Sequence, residues 1–574
     1  MPPVDPLQPQ ALYARCDPGQ FAFRTTDDLE ELENSLGQAR ALEALRFGIA
    51  IGTPGYNMFA LGPPGTGKHS MVRRHLEDAA AAAPVPTDWT YVNNFAEPHK
   101  PSALEFPPGR ARGFRDEMER LIRDMRDAIP SLFESDDYRA RREAMEEEFK
   151  SRQEGAFGEL QEAAHGRALA LIRTPMGLAF APVKDGEVIN PDDFRKLPDD
   201  RQQKTKDDIA ELEKRLQEIM RTAQQWEREH RQKVRQLNQE MAERVVGHLI
   251  DEQKAKMADL PAVVAWIEDV RADIVENAQQ FLPQPTGEDA PDADGRTPTP
   301  AGRPGAPPTF FRRYQVNVVV DRTACATAPV IYEDHPTQPN LVGRIEHMAQ
   351  FGALVTDFNL IKAGALLQAN GGFLILDALK VLTQPYAWEE LKRALRAAEA
   401  RIEGLAEALG LSATVSLQPE PIPLDVKVVL VGDREIYYML AQADPDFAEM
   451  FKVAIDFDDV VDRSETTMHD YARMIATMVR RDRLSPLDTG AVARVIEHAS
   501  RLVSDSEKLS ARMRLIVDLL HESHFHAGAE DQTVITAAHV QHAIDAQTRR
   551  ADRIRERVHE QITRGTVLID TEGA

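Results

Sequence analysis

The chain has 574 residues, 42% hydrophobic and 28% charged, with a formal net charge of −24. That length allows three or four domains with filled cores, and the acidic balance speaks against duplex nucleic acid, whose backbone needs a basic face. Two cysteines, Cys16 and Cys325, exclude a disulfide scaffold or a cysteine-built zinc site and fit a reducing cytosol. The opening MPPVDPLQPQ has no apolar h-region, and no run of about 18 apolar residues occurs. Neither a signal peptide nor a membrane span is expected, and a cytoplasmic location is.

Residues 1–28 read as a Pro-rich N-terminal arm, and 29–50 carry helical apolar spacing. GYNMFAL (55–61) reads as a buried strand that ends at a glycine loop, SMVRRHLEDAAAAA (70–83) as a helix, and DWTYVNNF (88–95) as a second strand. Strand, loop, helix and strand predict a βαβ unit in a parallel sheet, so 29–128 forms the first part of an α/β core.

From 129 to 282 the character changes. Ile209, Leu212, Leu216, Ile219, Ala223, Trp226, His230, Val234, Leu237, Met241 and Val245 recur at steps of three and four among charges, which predicts one long seamed helix. Residues 136–172 form a second charged helix with Met145, Phe149 and Leu160 on its apolar side, and GLAFAPV and EVIN flank the turn KDG in a small hairpin. The expected shape is an antiparallel, coiled-coil-like arm with a compact tip; a solvated spacer is the plainer alternative.

Residues 283–308 are too poor in apolar side chains to build a core and read as a disordered linker. FFRRYQVNVVVD (310–321), GGFLILDA (371–378) and LDVKVVLVGD (424–433) read as strands of a second core part over 309–460. A helical lid is expected over 461–562, followed by a junction at 563–574.

The chemistry starts at LGPPGTGK. Gly62, Pro63, Pro64, Gly65, Thr66, Gly67 and Lys68 form a Gly-x-x-x-x-Gly-Lys loop between a strand and a helix. Such a loop turns backbone N–H groups and a helix N-terminus toward phosphates, and its lysine reaches the β- and γ-phosphates of ATP. The Ser or Thr that completes the motif is replaced by His69. Asp377 ends the strand FLILD, where a carboxylate holds Mg²⁺ through water. Asp433 in VGD either orients a lytic water or simply ends its strand. Arg512 and Arg514 either reach the nucleotide from a hinged lid or are surface arginines on an amphipathic helix. HESHFH (521–526) misses the H-E-x-x-H spacing of a metalloprotease, and no G-x-S-x-G elbow occurs.

In this order the elements resemble the AAA+ superfamily and, more narrowly, the ATPase part of bacterial Lon-related ATP-dependent proteases. The residues that carry the resemblance are GQARALEALRFGI (37–49), GYNMFALGPPGTGK (55–68), DWTYVNNFAEPHKPSALEFPPG (88–109), NLVGRIEH (340–347), TDFNLIKAGALLQANGGFLILDA (356–378) and DFAEMFKVAIDFD (446–458). It implies an α/β AAA+ P-loop core with a parallel sheet, an inserted helical arm and an all-α C-terminal lid. It also implies ATP and Mg²⁺ as cofactors, protein substrates, a homo-hexameric ring, and a serine–lysine protease domain working in cis or in trans. The sequence ends near where that protease domain would begin, so no peptidase site is expected in it. Position by position, the resemblance puts Gly37, Gln38 and Arg40 near adenine and Lys68 and Asp377 on phosphate and Mg²⁺. It makes Asp433 the first sensor, Arg512 or Arg514 the second, and Phe351 a pore-loop aromatic, with a core Phe as the alternative.

The departures from that pattern weaken hydrolysis more than binding. His69 replaces a hydroxyl ligand of Mg²⁺, and Ser70 lies roughly 100° further round the helix. Ala378 stands where a catalytic Glu is usual. Lys452, after Met450-Phe451, stands near the usual arginine finger but offers a point charge rather than a fork. An ATP-driven unfoldase and a nucleotide-bound scaffold are therefore both open. A nucleic-acid or transcription motor is disfavoured by the −24 charge.

Overall fold

The computed structural model describes residues 13–32, 36–174, 177–184, 187–189, 198–282, 309–350, 353–403 and 417–570. The 283–308 stretch read as a linker, and Phe351, lie outside them. Contacts divide the chain into two units: Met1–Thr90 with His99–Ala111 and Val318–Ala574, and Tyr91–Pro98 with Arg112–Asn317. The second unit thus begins earlier than the 129 boundary expected from composition.

The main sheet of the first unit has five strands, numbered here β1 (Met58–Leu61), β2 (Val330–Glu333), β3 (Gly372–Asp377), β4 (Val426–Gly432) and β5 (Val453–Asp456). The helices used below are α1 (Ala39–Ala50), α2 (Lys68–Ala82), α3 (Asp136–His165), α4 (Asp199–Lys256), α5 (Ala378–Thr383), α6 (Arg434–Ala443) and α7 (Met513–Ala529). The strands are parallel in the order β5-β1-β4-β3-β2. The strands read as near-continuous apolar runs because both faces are covered. Met58, Ala60, Val429, Val431 and Ile455 pack under Leu45, Val72 and Leu76 of α1 and α2. Phe59, on the opposite face, meets Tyr437 and Phe447 edge-on. Fully buried side chains such as Leu45 and Leu76 contribute about 1.5–3 kcal/mol each.

One expectation is corrected. Asp88–Val92 is a strand, but it belongs to a separate three-stranded sheet and does not pair with β1. The parallel neighbours of β1 are β4 and β5, more than 360 residues on. Strand propensity identifies an extended segment but not the sheet that receives it. A second correction concerns 310–321, where a 3-10 helix (Thr309–Tyr314) precedes a shorter strand (Val316–Val320).

The lid is helical as expected, with one antiparallel strand pair, Val460–Asp462 against Lys508–Ser510, at its base. The described part of the N-terminal arm packs on the lid. Cys16 and Phe21 are buried in the lid core. Thr26 and Leu487 exchange backbone and hydroxyl hydrogen bonds, and Arg480 donates to the carbonyls of Thr26 and Asp27.

In the second unit α3 and α4 form the antiparallel arm. Phe149 stacks on His230 at 4.9 Å, and the Tyr138 hydroxyl donates to Asn238 Oδ1 at 2.9 Å. The tip is a three-stranded antiparallel sheet, Leu169–Thr174, Gly177–Lys184 and Glu187–Val188, one strand more than the expected hairpin. Phe180 of this tip is buried with Leu160, Leu212 and Leu216.

Candidate nucleotide site

The register of the main sheet brings separate sequence segments to one rim. Leu61 pairs with Gly432 and Asp456, and Asp377 pairs with Val431. The glycine loop, Asp377 and Asp433 therefore all emerge at the carboxyl ends of parallel strands, where open α/β sheets take ligands. The loop needs its glycines for different reasons. Gly62 has φ +149°, and a Cβ on it would lie 2.8 Å from the Phe457 carbonyl oxygen. Gly67, at φ +79°, is the left-handed cap from which α2 starts at Lys68. The first N–H groups of α2 lack intrahelical partners and carry the positive end of the helix dipole.

Lys68 is buried, at 8% exposure. Its Nζ donates to the Gly62 carbonyl at 2.6 Å and the Pro63 carbonyl at 3.3 Å, and lies 3.6 Å from Asp433. Burial lowers its pKa, with Asp433 and Asp377 opposing the shift. Phosphate oxygens are better partners for this ammonium than two carbonyls, since they add full negative charge. Thr66 stiffens the loop by donating to Pro63, and Pro64 is exposed.

Asp377 accepts the Lys380 N–H at 3.0 Å and so caps α5. Ala378 is 1% exposed, and its Cβ lies 3.0 Å from where a Cβ on Gly432 would sit. Position 378 is thus buried and packed closely against Gly432 of β4. Asp433 starts α6 without spending its carboxylate on a cap, and that carboxylate is half exposed beside Lys68. His69, exposed on the second residue of α2, meets Tyr332 of β2 edge-on at 6.0 Å. Burial of part of its ring lowers its pKa, with the Asp377 carboxylate opposing. Ser70 is exposed.

The lid touches the loop through its backbone. The Arg514 N–H donates to the Gly65 carbonyl at 3.2 Å, while the Arg514 side chain pairs with Asp518. Arg512 pairs with Asp459 at 3.0 Å. Burial pushes the Asp459 carboxyl up, but donors from Arg512 and Arg434 more than reverse it, and its pKa is lowered. Arg434 was not singled out from sequence. It joins the rim by donating to Asp456, Asp459 and the Phe457 carbonyl; its place directly after Asp433, at a strand end, was the available signal.

Gln38 exchanges two hydrogen bonds with the Asp458 backbone, so both ends of its amide are engaged. Gly37 has φ +71° with Val461 against it, and Arg40 is exposed. Lys452 lies elsewhere. It precedes β5 at the amino rim of the sheet, over the Tyr56 ring at 4.9 Å, and is not brought to the phosphate loop of its own chain.

Mg²⁺ held directly by a residue after the lysine does not fit these donors. That position offers an imidazole, Mg²⁺ prefers hard oxygens in an octahedron, and no three His, Cys, Asp or Glu among the described residues converge as a ready cage. No helix among them is long and apolar enough to cross a membrane.

Comparison with known families finds three matching segments. Residues 326–458 match a LonB-like AAA domain, 486–550 an archaeal LonB AAA+ ATPase lid domain, and 88–121 a Lon-like LonC helical domain. The glycine loop lies outside all three, so its reading rests on its own geometry. A Lon protease homolog of Escherichia coli (strain K12) is 25% identical over 229 residues, 39% of this chain and 37% of that protein. An archaeal Lon protease of Thermoplasma acidophilum is 27% identical over 203 residues, 35% of this chain and 30% of that protein. The chain thus spans about a third of the length of the curated relatives it matches. Among solved structures, NtrX from Brucella abortus overlaps 37% of this chain and 43% of its own at 15% identity, with a TM-score of 0.25.

Proposed function

We propose that this chain, a Lon-related AAA+ protein, binds ATP in the Gly62–Gly67 loop and uses that binding to set the position of its lid. One observation carries the reading: Lys68, Asp433 and the Arg514 N–H converge on one loop at the carboxyl rim of the sheet. Phosphate oxygens take the Lys68 ammonium from the Gly62 and Pro63 carbonyls, and the α2 N-terminus adds its N–H groups. Asp433, half exposed and paired with Lys68, is the group suited to orient a water at the terminal phosphate. Arg512 is held by Asp459 within the same rim, and a phosphate competes with that carboxylate for it.

The Lon relationship supports a role for this binding. ATP turnover would drive a protein substrate toward a protease domain, in cis or in trans, within a ring of identical subunits. Lys452, at the far rim of the sheet, would then act on the nucleotide of a neighbouring copy, and the α3–α4 arm would serve as an entry clamp. Ala378 favours a second reading, a ring that assembles on ATP and turns it over slowly or not at all, because a methyl group there supplies no catalytic carboxylate.

The test is ATP binding and steady-state turnover of the chain beside Lys68→Ala. Turnover that disappears in the variant supports the motor. Binding without turnover, lost in the variant, supports the scaffold. Binding that Lys68→Ala leaves intact overturns both readings.

A further inference from the structure

The disagreement between this loop and Mg²⁺ has a direction. Resting on the nucleotide reading above, we propose that His69 is a metal ligand, and that the cation accompanying ATP here is a first-row transition-metal divalent ion, with Mg²⁺ a poor substitute.

Position 69 directly follows the loop lysine, as the second residue of α2. The electrostatic partners of the His69 ring include Asp377 and Lys380, and its edge-on neighbour is Tyr332. Tyr332 lies opposite Ile375, two residues before Asp377 on β3, so the ring contact places His69 beside the strand that carries Asp377. The ring that His69 packs against is also linked to Asp377. The Tyr332 hydroxyl donates to Asp334 at 3.3 Å, Asp334 pairs with the Lys380 ammonium, and the Lys380 N–H holds Asp377 Oδ1 at 3.0 Å. The hydrogen-bonded chain thus runs from the ring that His69 packs against to the Asp377 carboxylate. Two protein donors suffice, because phosphate oxygens and water complete the sphere of a nucleotide-bound cation.

Imidazole nitrogen and carboxylate oxygen form a mixed donor set. It suits Mn²⁺, Co²⁺, Ni²⁺ or Zn²⁺, with affinity rising along the first row, whereas Mg²⁺ gains little from a nitrogen ligand. A hydroxyl at position 69 would reverse that preference. Ser70 does not supply one, being exposed and a step of roughly 100° further round α2.

The experiment has two readouts that do not depend on turnover. Binding of ATPγS is titrated at saturating Mg²⁺, Mn²⁺ or Co²⁺ and in EDTA, for wild type, His69→Thr, His69→Asn and Lys68→Ala. Pulsed EPR of the Mn²⁺–ATPγS complex is recorded on protein labelled with ¹⁵N only in histidine. Wild type should bind the Co²⁺ and Mn²⁺ complexes about tenfold or more tighter than the Mg²⁺ complex, and the ¹⁵N coupling should appear. His69→Thr should remove the coupling and bring the Mg²⁺ complex level with the others. His69→Asn, which keeps a polar side chain of similar reach, should also lose the coupling and serves if the threonine variant misfolds. ATPγS bound equally with all cations and without ¹⁵N coupling overturns the metal assignment and leaves the nucleotide site standing. No ATPγS bound under any condition, with Lys68→Ala indistinguishable from wild type, overturns the nucleotide reading itself and the metal assignment with it.

Discussion

At the carboxyl rim of the main sheet, charged and polar groups meet partners far away in sequence. Lys68 meets Asp433, Gln38 meets the Asp458 backbone, and Arg512 of the lid meets Asp459. Along the α3–α4 arm the pattern is periodic. Arg141–Asp137, Arg152–Glu148, Arg215–Glu211 and Arg231–Glu227 are all one helical turn apart, over a seam of Leu160, Leu212 and Leu216. The rim concentrates its interactions in a few irreplaceable groups, whereas the arm spreads weak ones over many. Single changes should therefore alter ligand binding at the rim, and in the arm should matter only where they reach the seam.

The largest effect expected is in the arm seam. Leu212→Ala empties a fully buried position and should cost about 2–5 kcal/mol of local stability. Hydrogen exchange would show it as lost protection near the tip, with ATP affinity unchanged; altered ATP affinity would break the contrast between the regions. Next comes Lys68→Ala. It should weaken ATP binding about a hundredfold or more, roughly 2.7 kcal/mol, by fluorescent-nucleotide titration, without lowering the melting temperature of the nucleotide-free protein.

Acid gives a third test. His498, in the lid helix Thr489–Val503, has its pKa lowered to about 4, first by burial and then by Arg494 and Arg501, and its Nδ1 is buried without a partner. An unfolded histidine takes its proton near pH 6.5 while the folded one resists, so stability is complete above that pH and is lost as pH falls toward 4. The loss should be about 1–2 kcal/mol after discounting for solvent screening. His498→Gln should make the acid-melting slope shallower by that amount. Asp459→Asn should cost about 1 kcal/mol by loosening Arg434 and Arg512. The lowered pKa of Asp459 means its contribution is present above the ordinary carboxylate range and fades as pH drops through it. The acid slope should therefore shrink in that variant too. Smallest of all, Lys233→Ala, which breaks an exposed pair with Glu148, should leave the melting curve within error.

Much of this was legible in the chain. The glycine loop, the apolar strands ending in Asp377 and Asp433, the seam of the arm and the helical lid each follow from spacing and residue type. The less legible parts depended on partners. Asp88–Val92 looks like a neighbour of β1 because it follows α2, yet β4 and β5 take both sides of β1. Arg434 looks like any helix-starting arginine until Asp456 and Asp459 are brought beside it. Residues 1–28 read as a Pro-rich arm, while the lid supplies the core that receives Cys16 and Phe21 and the Arg480 guanidinium that donates to the Thr26 and Asp27 carbonyls.

The sequence by itself determined which segments are strand, helix and phosphate loop, because periodicity and glycine placement act over a few residues. It also determined that hydroxyl and Glu are absent at positions 69 and 378. Only the tertiary structure decided that His69 packs against Tyr332, that position 378 is buried against Gly432, and that Lys452 lies at the rim opposite its own loop. Those are matters of register between strands hundreds of residues apart, which local propensity does not encode.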